Sequence, residues 1–157
     1  MKKWVKVSIS VAIPLLIGFI SSFFTKEGID NWYRQINTPG WNPPDYVFAP
    51  VWTTLYILMG LAFYIIWITP ADKLQKKIAV IFYSIQLILN FFWSYIFFSL
   101  HEIGWALTEI GVLWIFIVLT IFSFAAISKK AAWLLVPYIS WVSFAAILNY
   151  TIWTLNK

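Results

Sequence analysis

The sequence predicts an all-α membrane protein, a bundle of five transmembrane helices with a long first loop acting as a lid. Of its 157 residues, 62% are hydrophobic and only 11% are charged, and the mean hydropathy is +0.81. A soluble domain is about 45–50% apolar and about 25% charged, so this chain has too little charge to coat a surface that faces water. The charged residues also fall between long apolar segments rather than within them, which is typical of helices that cross a bilayer.

Five segments contain no charged residue: 7–24, 46–71, 78–100, 110–128 and 131–156. A helix rises about 1.5 Å per residue, so each segment is long enough to cross about 30 Å of hydrocarbon. Pro14 and Pro137 fall inside these helical patterns, where neighbouring helices can absorb a kink. We expect the five spans to form a single domain over residues 1–157.

The predicted loops comprise one long and three short ones. The short loops, near 70–77, 101–104 and 128–130, make sequential helices antiparallel neighbours. The first loop, residues 25–45, carries Trp32, Tyr33 and the turn-rich run Pro39-Gly40-Trp41-Asn42-Pro43-Pro44. Loops of this length are usually functional or disordered, and the aromatic residues argue against disorder. We therefore expect this loop to fold onto the bundle.

Lysine and arginine are distributed unevenly between the two ends of the predicted bundle. The N-terminal side carries Lys2, Lys3, Lys6, Lys73, Lys76, Lys77, Lys129 and Lys130. The opposite side carries Lys26, Arg34 and Lys157. The positive-inside rule then predicts that the N-terminus lies in the cytoplasm and that the long loop and the C-terminus lie outside. We expect the membrane to be a bacterial-type cytoplasmic membrane. These clusters do not form a phosphate-binding stripe, so the net charge of +5 does not predict a nucleic-acid partner.

Few side chains are available for acid–base or metal chemistry. The chain has no cysteine, which excludes disulfides, thiolate metal sites and a cysteine nucleophile. His101 is the only histidine and lies in a short loop beside Glu102, where we expect it to be solvated. Metal sites and base-assisted nucleophiles require more convergent groups than this. We expect neither a metal nor a resident cofactor.

The eleven tryptophans lie near the span ends, within the spans and in the first loop. An interfacial aromatic belt accounts for those near the span ends, namely Trp4, Trp67, Trp105, Trp133 and Trp153. Trp114, near the middle of the fourth span, is expected to face lipid or to pack. Trp52 lies about seven residues, or roughly 10 Å, into the second span from the outer side. Trp93 and Asn149 lie at similar depth in the third and fifth spans, and Trp141 lies two turns deeper, so these residues can converge beneath the first loop.

Helical spacing places the same residues on three stripes. The stripes are Trp52, Tyr56, Met59 and Phe63; Gln86, Asn90, Trp93 and Phe97; and Tyr138, Trp141, Ala145 and Asn149. Two interpretations remain open. The amides can simply join helices by hydrogen bonds and the aromatic residues can simply be packing. Alternatively, the stripes enclose an apolar, π-rich pocket for a flat ligand such as a porphyrin, an aromatic drug or a sterol.

Several motifs resemble the translocator protein family, also called TspO/MBR, tryptophan-rich sensory proteins or peripheral benzodiazepine receptors. The matching segments are Trp41-Asn42-Pro43-Pro44, Phe48-Ala49-Pro50-Val51-Trp52-Thr53-Thr54-Leu55-Tyr56, Leu89-Asn90-Phe91-Phe92-Trp93-Ser94, Pro137-Tyr138-Ile139-Ser140-Trp141, Phe144-Ala145 and Leu148-Asn149-Tyr150. The resemblance implies a five-helix bundle, often a homodimer, that binds porphyrins and synthetic aromatic ligands under the first loop. The pocket positions that it implies are Tyr33, Trp41, Trp52, Asn90, Trp93, Trp141, Ala145 and Asn149. In some bacterial members, the tryptophans matching Trp52 and Trp141 are linked to light-dependent porphyrin breakdown.

The chain departs from this resemblance in two respects. The sterol motif L/V-x(1–5)-Y-x(1–5)-K/R of animal members is incomplete, because Tyr150 is followed by Lys157 only after six residues. Sterol binding is therefore not expected. The chain also has no G-x-x-x-G motif, so a glycine-mediated dimer face has no support in the sequence.

Three functions remain as hypotheses. The first is a membrane protein that binds tetrapyrroles in a sensory, transport or regulatory role. The second is an enzyme that degrades protoporphyrin IX oxidatively in light, with Trp52 and Trp141 as its catalytic residues. The third is a small proton-coupled exporter, which requires an ionisable residue deep in the membrane. The acidic candidate for that role, Glu109, is expected near the interface.

Overall fold

The computed structural model describes all 157 residues, and its regular structure is entirely helical. Its α-helices are α1 (Lys3–Asn31), α2 (Phe48–Ile68), α3 (Lys73–Ser94), α4 (Ile103–Ala125), α5 (Lys129–Leu134) and α6 (Val136–Asn156). Two 3₁₀ turns, Tyr33–Gln35 and Asp45–Val47, lie in the first loop, and a π-helical turn, Tyr95–Ser99, extends α3. Five helical segments are long and apolar enough to cross a membrane, the fifth being α5 and α6 together. The predicted all-α fold with five spans is confirmed.

The helices extend beyond the charge-free segments at several ends. α1 continues to Asn31, so residues 25–31 are helical and the first loop is reduced to residues 32–47. Gly28 permits this extension to pack closely, because a Cβ there would lie 2.6 Å from the Cβ of Phe98. α3 begins at Lys73 because Asp72 caps it, accepting a hydrogen bond from the Leu74 amide at 2.8 Å.

The two prolines within the spans occupy different positions. Pro14 lies in the middle of α1, where its missing amide removes one helical hydrogen bond. The fifth span is interrupted at Leu135, and Pro137 is the second residue of α6. A proline in the first turn of a helix is tolerated because amides there have no helical acceptor. Pro137 therefore marks a helix start rather than a kink within a helix.

The spans pack in a regular order. α1 lies against α2, α3 lies against α4, and α4 also lies against α6, while α5 contacts α2 and α4. The first loop, the α3–α4 loop and the C-terminus lie at the same end of the bundle. Trp32 stacks on His101 with ring centroids 4.4 Å apart, and the Asn37 amide donates to Asn156 Oδ1 at 2.9 Å. We call this end of the bundle the loop end.

Two clusters of buried apolar residues form the core. The larger cluster joins α2, α3, α4 and α6, and its fully buried members include Met59, Ile117 and Phe124. The smaller cluster lies at the loop end and includes Tyr33, only 4% exposed, together with Phe97 and Phe98. Because Tyr33 belongs to this cluster, the first loop is packed into the bundle, as the sequence predicts.

Glycines bring α1 and α2 into close contact. A Cβ at Gly60 would lie 2.5 Å from Val11 Cα and 2.7 Å from Ser10 O, both of which are backbone atoms. A Cβ at Gly18 would overlap the ring of Tyr56. These glycines therefore serve helix packing within one chain, in the way that small residues at helix interfaces allow backbones to approach in lipid.

We predict that Gly60→Ala destabilises the bundle, because the added methyl group meets backbone atoms of α1 that cannot move without shifting the helix. Overpacking of this kind costs about 1–3 kcal/mol. Gly111→Ala on α4 is the matched control, since nothing lies within 4 Å of its Cβ position and alanine is the better helix former. Thermal unfolding in detergent measures both variants. Equal melting temperatures for Gly60→Ala and the wild type would contradict the close-contact interpretation.

Candidate functional site

A cavity of about 820 Å³ lies at the loop end of the bundle. Residues of α1, the first loop, α2, α3 with its π-helical turn, and α6 border it. Its aromatic lining comprises Phe19, Tyr33, Tyr46, Phe48, Trp52, Tyr56, Trp93, Phe97, Phe98, Trp141 and Phe144. Pockets for small molecules have volumes of about 300–1,000 Å³ and mostly apolar walls, so both the size and the lining of this cavity suit a large flat ligand.

The cavity reaches the surface in two directions. Charged side chains of α1 and the first loop border it at its rim, namely Lys26, Asp30, Arg34 and Asp45. On the side of the bundle, the exposed residues Phe19 and Ser22 of α1 and Thr53 of α2 also border it. The cavity therefore has a charged edge at the loop end and an edge at the surface between α1 and α2 that is predicted to face lipid.

Six of the eight residues predicted for the pocket border this cavity. They are Tyr33, Trp52, Trp93, Trp141, Ala145 and Asn149. They come from the first loop and from three different helices, so the fold brings together positions that are far apart in the sequence. The other two predicted residues, Trp41 and Asn90, do not border the cavity.

Trp93 and Asn149 form one fixed wall. The Trp93 indole N–H donates to Asn149 Oδ1 at 3.1 Å, and Asn149 Nδ2 donates to the backbone carbonyl of Ile103 at 3.0 Å. Trp93 also stacks on Phe97 with ring centroids 5.3 Å apart. These bonds link α3, α4 and α6, and they hold the Trp93 ring in one orientation with its polar atom already paired.

Trp52 and Trp141 form the wall on the α2 and α6 side. Trp52 stacks on Tyr56 with centroids 5.6 Å apart and an interplanar angle of 28°. Trp141 lies 5.3 Å from Phe144 and 6.3 Å from Phe48, centroid to centroid. The indole nitrogen of Trp141 is buried and has no hydrogen-bond partner. This N–H is therefore a donor that the protein itself leaves unused.

Asn90 lies behind this wall, in a buried chain of hydrogen bonds. Tyr56 Oη donates to Asn90 Oδ1 at 2.7 Å, and Asn90 Nδ2 donates to Tyr138 Oη at 2.9 Å. Tyr138 Oη in turn donates to Gln86 Oε1 at 2.7 Å. Asn90 is only 2% exposed, and both ends of its amide are occupied by phenols. Asn90 joins α2, α3 and α6. Its contacts therefore agree with the first of the two interpretations given above, in which the amides join helices by hydrogen bonds.

Trp41 lies on the outside of the cavity wall. Its ring meets Phe144, which borders the cavity, edge to face with centroids 5.8 Å apart, and Trp41 itself is 48% exposed. The run of prolines and Gly40 around it leaves this part of the loop without regular structure. Trp41 therefore supports the wall from the loop side rather than lining it.

Polar contacts fix the first loop over the cavity. Tyr33 Oη donates to Asn42 Oδ1 at 2.8 Å across the loop. Arg34 lies between two carboxylates, 3.5 Å from Asp30 and 3.1 Å from Asp45. The C-terminal end of α6 holds the middle of the loop, since Asn156 Nδ2 donates to the Asn37 carbonyl at 2.7 Å. Lys26 is the one charged residue of the rim that forms no ion pair.

Sequence reasoning missed the α1 wall of the cavity. Leu15, Gly18, Ser21, Ser22 and Thr25 of α1 border it, and their spacing of three or four residues is a helical stripe of mostly small and polar residues. That stripe is visible in the sequence and could have indicated an inward face. The π-helical turn that places both Phe97 and Phe98 against the cavity has no comparable sequence signal.

Two residues considered for other chemistry lie away from the cavity. His101 is exposed, has a φ of 58°, and stacks on Trp32. Glu109 borders a separate groove of about 360 Å³ beside Trp105, and both of its carboxyl oxygens are buried without a hydrogen-bond partner. Neither residue borders the cavity of about 820 Å³.

Comparison with known proteins identifies the family. The sequence model of the TspO/MBR family matches residues 10–154. The chain belongs to the TspO/MBR family. A tryptophan-rich protein TspO from Chlorobaculum tepidum is 43% identical over 155 residues, covering 99% of this chain and 98% of its own. The human translocator protein is 36% identical over 155 residues, covering 98% and 91% respectively. The tryptophan-rich sensory protein of Cereibacter sphaeroides is 37% identical over 127 residues, covering 81% and 78%.

Membership of the TspO/MBR family agrees with the five apolar spans. Together they identify an integral, multi-pass membrane protein. The matched region contains every residue that borders the cavity, from Leu15 to Ile152. The resemblance that the sequence motifs indicate is thus confirmed at the level of the family and the fold.

We predict that Asn90→Ala destabilises this TspO/MBR protein, because it leaves the hydroxyl groups of Tyr56 and Tyr138 short of buried partners. Leaving a buried polar group unpaired costs about 1–3 kcal/mol. Gln75→Ala, at an exposed amide near the start of the same helix, is the matched control. Thermal unfolding in detergent should separate the two variants. If Asn90→Ala melts together with Gln75→Ala, the hydrogen-bond chain does not hold the bundle.

Proposed function

We propose that this TspO/MBR protein binds a tetrapyrrole such as protoporphyrin IX in the cavity at the loop end of its bundle, in a sensory, transport or regulatory role. The ligand class follows from the walls. A flat conjugated ring gains apolar burial and aromatic stacking from Trp52, Trp93 and Trp141. Other flat aromatic molecules of similar size fit the same description.

The observation that carries this proposal is the aromatic lining of a single cavity of suitable size. All three tryptophans border one cavity of about 820 Å³, and the indole N–H of Trp141 has no partner in the protein. The amides of Asn90 and Asn149, in contrast, are already committed to other groups.

The rim suggests how such a ligand is oriented. The carboxylate groups of a porphyrin are strongly hydrated and would remain at the charged edge, near Lys26 and Arg34, while the ring occupies the apolar interior. We propose the orientation given by the positive-inside rule, with this rim outside the cytoplasm. A homodimer would not be needed to complete the site, because one chain supplies every wall.

We predict that protoporphyrin IX quenches the tryptophan fluorescence of the detergent-solubilised protein saturably in darkness. Trp141→Ala should weaken binding about ten-fold, since an aromatic pair contributes about 0.5–1.5 kcal/mol beyond its burial and about 1.4 kcal/mol corresponds to ten-fold. Trp105→Ala is the matched control, because Trp105 is 69% exposed and outside the cavity.

Two results would contradict the binding proposal. Quenching that rises linearly without saturation indicates collisional contact or partitioning into the detergent micelle. Equal affinities for Trp141→Ala and Trp105→Ala would place the bound porphyrin somewhere other than the cavity.

A second candidate function is light-dependent oxidative degradation of the bound porphyrin. The specific observation in its favour is that Trp52 and Trp141 border the same cavity from α2 and α6. An indole beside an excited macrocycle can donate an electron or intercept reactive oxygen, with molecular oxygen as the oxidant, and this chemistry needs no acid–base residue. The exporter hypothesis has no such support, because Glu109 borders a different groove.

We predict that, if the protein has this activity, the Trp52→Phe/Trp141→Phe variant loses it while still binding porphyrin. Phenylalanine keeps an apolar ring in each wall but is much harder to oxidise than indole. The visible absorption spectrum of the complex under illumination measures the loss of porphyrin. The matched control is Trp4→Phe/Trp105→Phe, which removes two exposed tryptophans outside the cavity. Equal bleaching rates in both double variants and the wild type would rule out a catalytic role for Trp52 and Trp141.

A further inference from the structure

Positive charge is concentrated at the end of the bundle opposite the loop end, which we call the lysine end. Every basic residue except Lys26, Arg34 and Lys157 lies there, at or beside the starts of α1, α3 and α5. Asp72 is the one carboxylate at this end, and it is occupied in capping α3 through the Leu74 amide. Both ion pairs of the protein involve Arg34, so the lysines of the lysine end have no carboxylate partner.

Two of these lysines differ from the others because they converge on one tryptophan. Lys6 Nζ of α1 lies over the ring of Trp67, 5.5 Å from its centroid, and Lys76 Nζ of α3 donates to the Trp67 carbonyl at 3.1 Å. Trp67 lies in the last turn of α2, so three helices meet at this residue. Lys6 and Lys76 are half-buried, whereas the other lysines of the lysine end are exposed. Both ammonium groups are therefore held in place by contacts with Trp67.

These contacts leave hydrogen-bond donors unused. An ammonium group has three N–H donors, and Lys76 uses one of them on the carbonyl at the C-terminal end of α2. Lys6 Nζ contacts a ring face and has no hydrogen-bond acceptor, and this nitrogen is accessible rather than buried. A strongly hydrated cation favours an anionic acceptor when one is within reach. The pair can therefore bind an anion without losing its contacts with Trp67.

The helix faces next to this pair indicate that the anion belongs to a lipid. On α1, Ile9 and Ile13 follow Lys6 at three and seven residues, which places them on the same face, and both are exposed. On α3, the exposed Val80 follows Lys76 at four residues. An exposed apolar track thus leads from each ammonium group toward the middle of its span. A free phosphate ion gains nothing from these tracks, whereas the acyl chains of a phospholipid lie along them.

We propose that Lys6, Trp67 and Lys76 form a binding site for the headgroup phosphate of an anionic phospholipid, such as phosphatidylglycerol. Basic pockets between transmembrane helices bind lipid headgroups of this charge. A zwitterionic headgroup carries its own cation, which the two lysines repel, so the site favours a lipid with net negative charge. The inference does not depend on porphyrin binding, because none of these three residues borders the cavity.

The experiment titrates the full-length chain in detergent with dioleoylphosphatidylglycerol or dioleoylphosphatidylcholine, and native mass spectrometry counts the bound lipids. The two lipids have the same acyl chains and differ in the net charge of the headgroup. We expect phosphatidylglycerol to bind more tightly than phosphatidylcholine. Lys6→Gln should weaken the binding of phosphatidylglycerol about 5-fold, the usual contribution of one lysine to the attraction of anionic lipid, and Lys6→Gln/Lys76→Gln about 25-fold.

The matched control is Lys129→Gln/Lys130→Gln, which removes two exposed lysines from the same end of the bundle. This variant should bind phosphatidylglycerol like the wild type, and Lys6→Arg, which keeps the charge, should retain binding. Lys76→Gln also alters the contact with the Trp67 carbonyl, so the melting temperature of each variant is measured without added lipid. Lys6→Gln leaves that contact intact and keeps the test decisive if the double variant folds poorly.

Four results would overturn the inference. Equal affinities for the two lipids would mean that the acyl chains alone make the contact. Equal weakening in the two double variants would indicate diffuse attraction to every lysine of the lysine end instead of a site. Displacement of phosphatidylglycerol by inorganic phosphate would show that a free anion suffices. Wild-type affinity in Lys6→Gln would mean that Lys6 serves only to pack against Trp67.

Discussion

The hydrogen-bonded chain Tyr56–Asn90–Tyr138–Gln86 is the interaction on which the rest of this structure depends. Helices in lipid gain little from the hydrophobic effect when they associate, so close packing and interhelical hydrogen bonds decide how they meet. This chain joins α2, α3 and α6, and those are the helices that carry Trp52, Trp93 and Trp141. The rotation of each helix about its axis, and therefore the direction of each indole, follows from this buried contact. The cavity is the space left over at the level above it.

The same constraint explains why the cavity is so apolar. Many polar side chains near the cavity are paired with one another or with backbone carbonyls. Asn149 bonds to Trp93 and to the Ile103 carbonyl, and the hydroxyl groups of Ser22, Thr25 and Thr53 bond to carbonyls of their own helices. The side-chain amides of Asn90 and Asn149, which the sequence suggests as ligand contacts, instead form hydrogen bonds that join the helices. The cavity therefore offers a ligand mainly the faces and edges of aromatic rings. A site of this kind binds by shape and stacking and gains its selectivity from few polar contacts.

The five spans and most of the residues that border the cavity can be predicted from the sequence. The positions that could not be predicted have physical explanations. Charge-free segments fix the five spans because a charge in hydrocarbon is costly, and depth along a helix follows from a constant rise per residue, so Trp52, Trp93 and Asn149 could be placed near one cavity. Helical periodicity shows which residues share a stripe but not which neighbouring helix that stripe contacts. Asn90 shares a stripe with Trp93 and is therefore predicted to line the pocket, but it lies behind the cavity wall. A π-helical turn adds a residue to the hydrogen-bonded ring, which shifts the phase after Tyr95 and turns both Phe97 and Phe98 inward. The local sequence contains no pattern that predicts this shift.

Ligand binding requires only ring surfaces in the cavity wall, whereas photochemistry also depends on where the N–H proton of an oxidised indole can go. The hydrogen bonds of Trp93 and Trp141 bear on the second requirement. An indole that loses an electron persists as a neutral radical only if its N–H proton finds a base. Trp93 donates its proton to an amide oxygen, which is a poor base, and Trp141 donates to nothing. The carboxylates that border the cavity, Asp30 and Asp45, lie at the rim and are paired with Arg34. Neither indole therefore has a strong protein base positioned to accept its N–H proton. Under the proposed function, any degradation of a bound chromophore would therefore depend on light and oxygen rather than on a protein base.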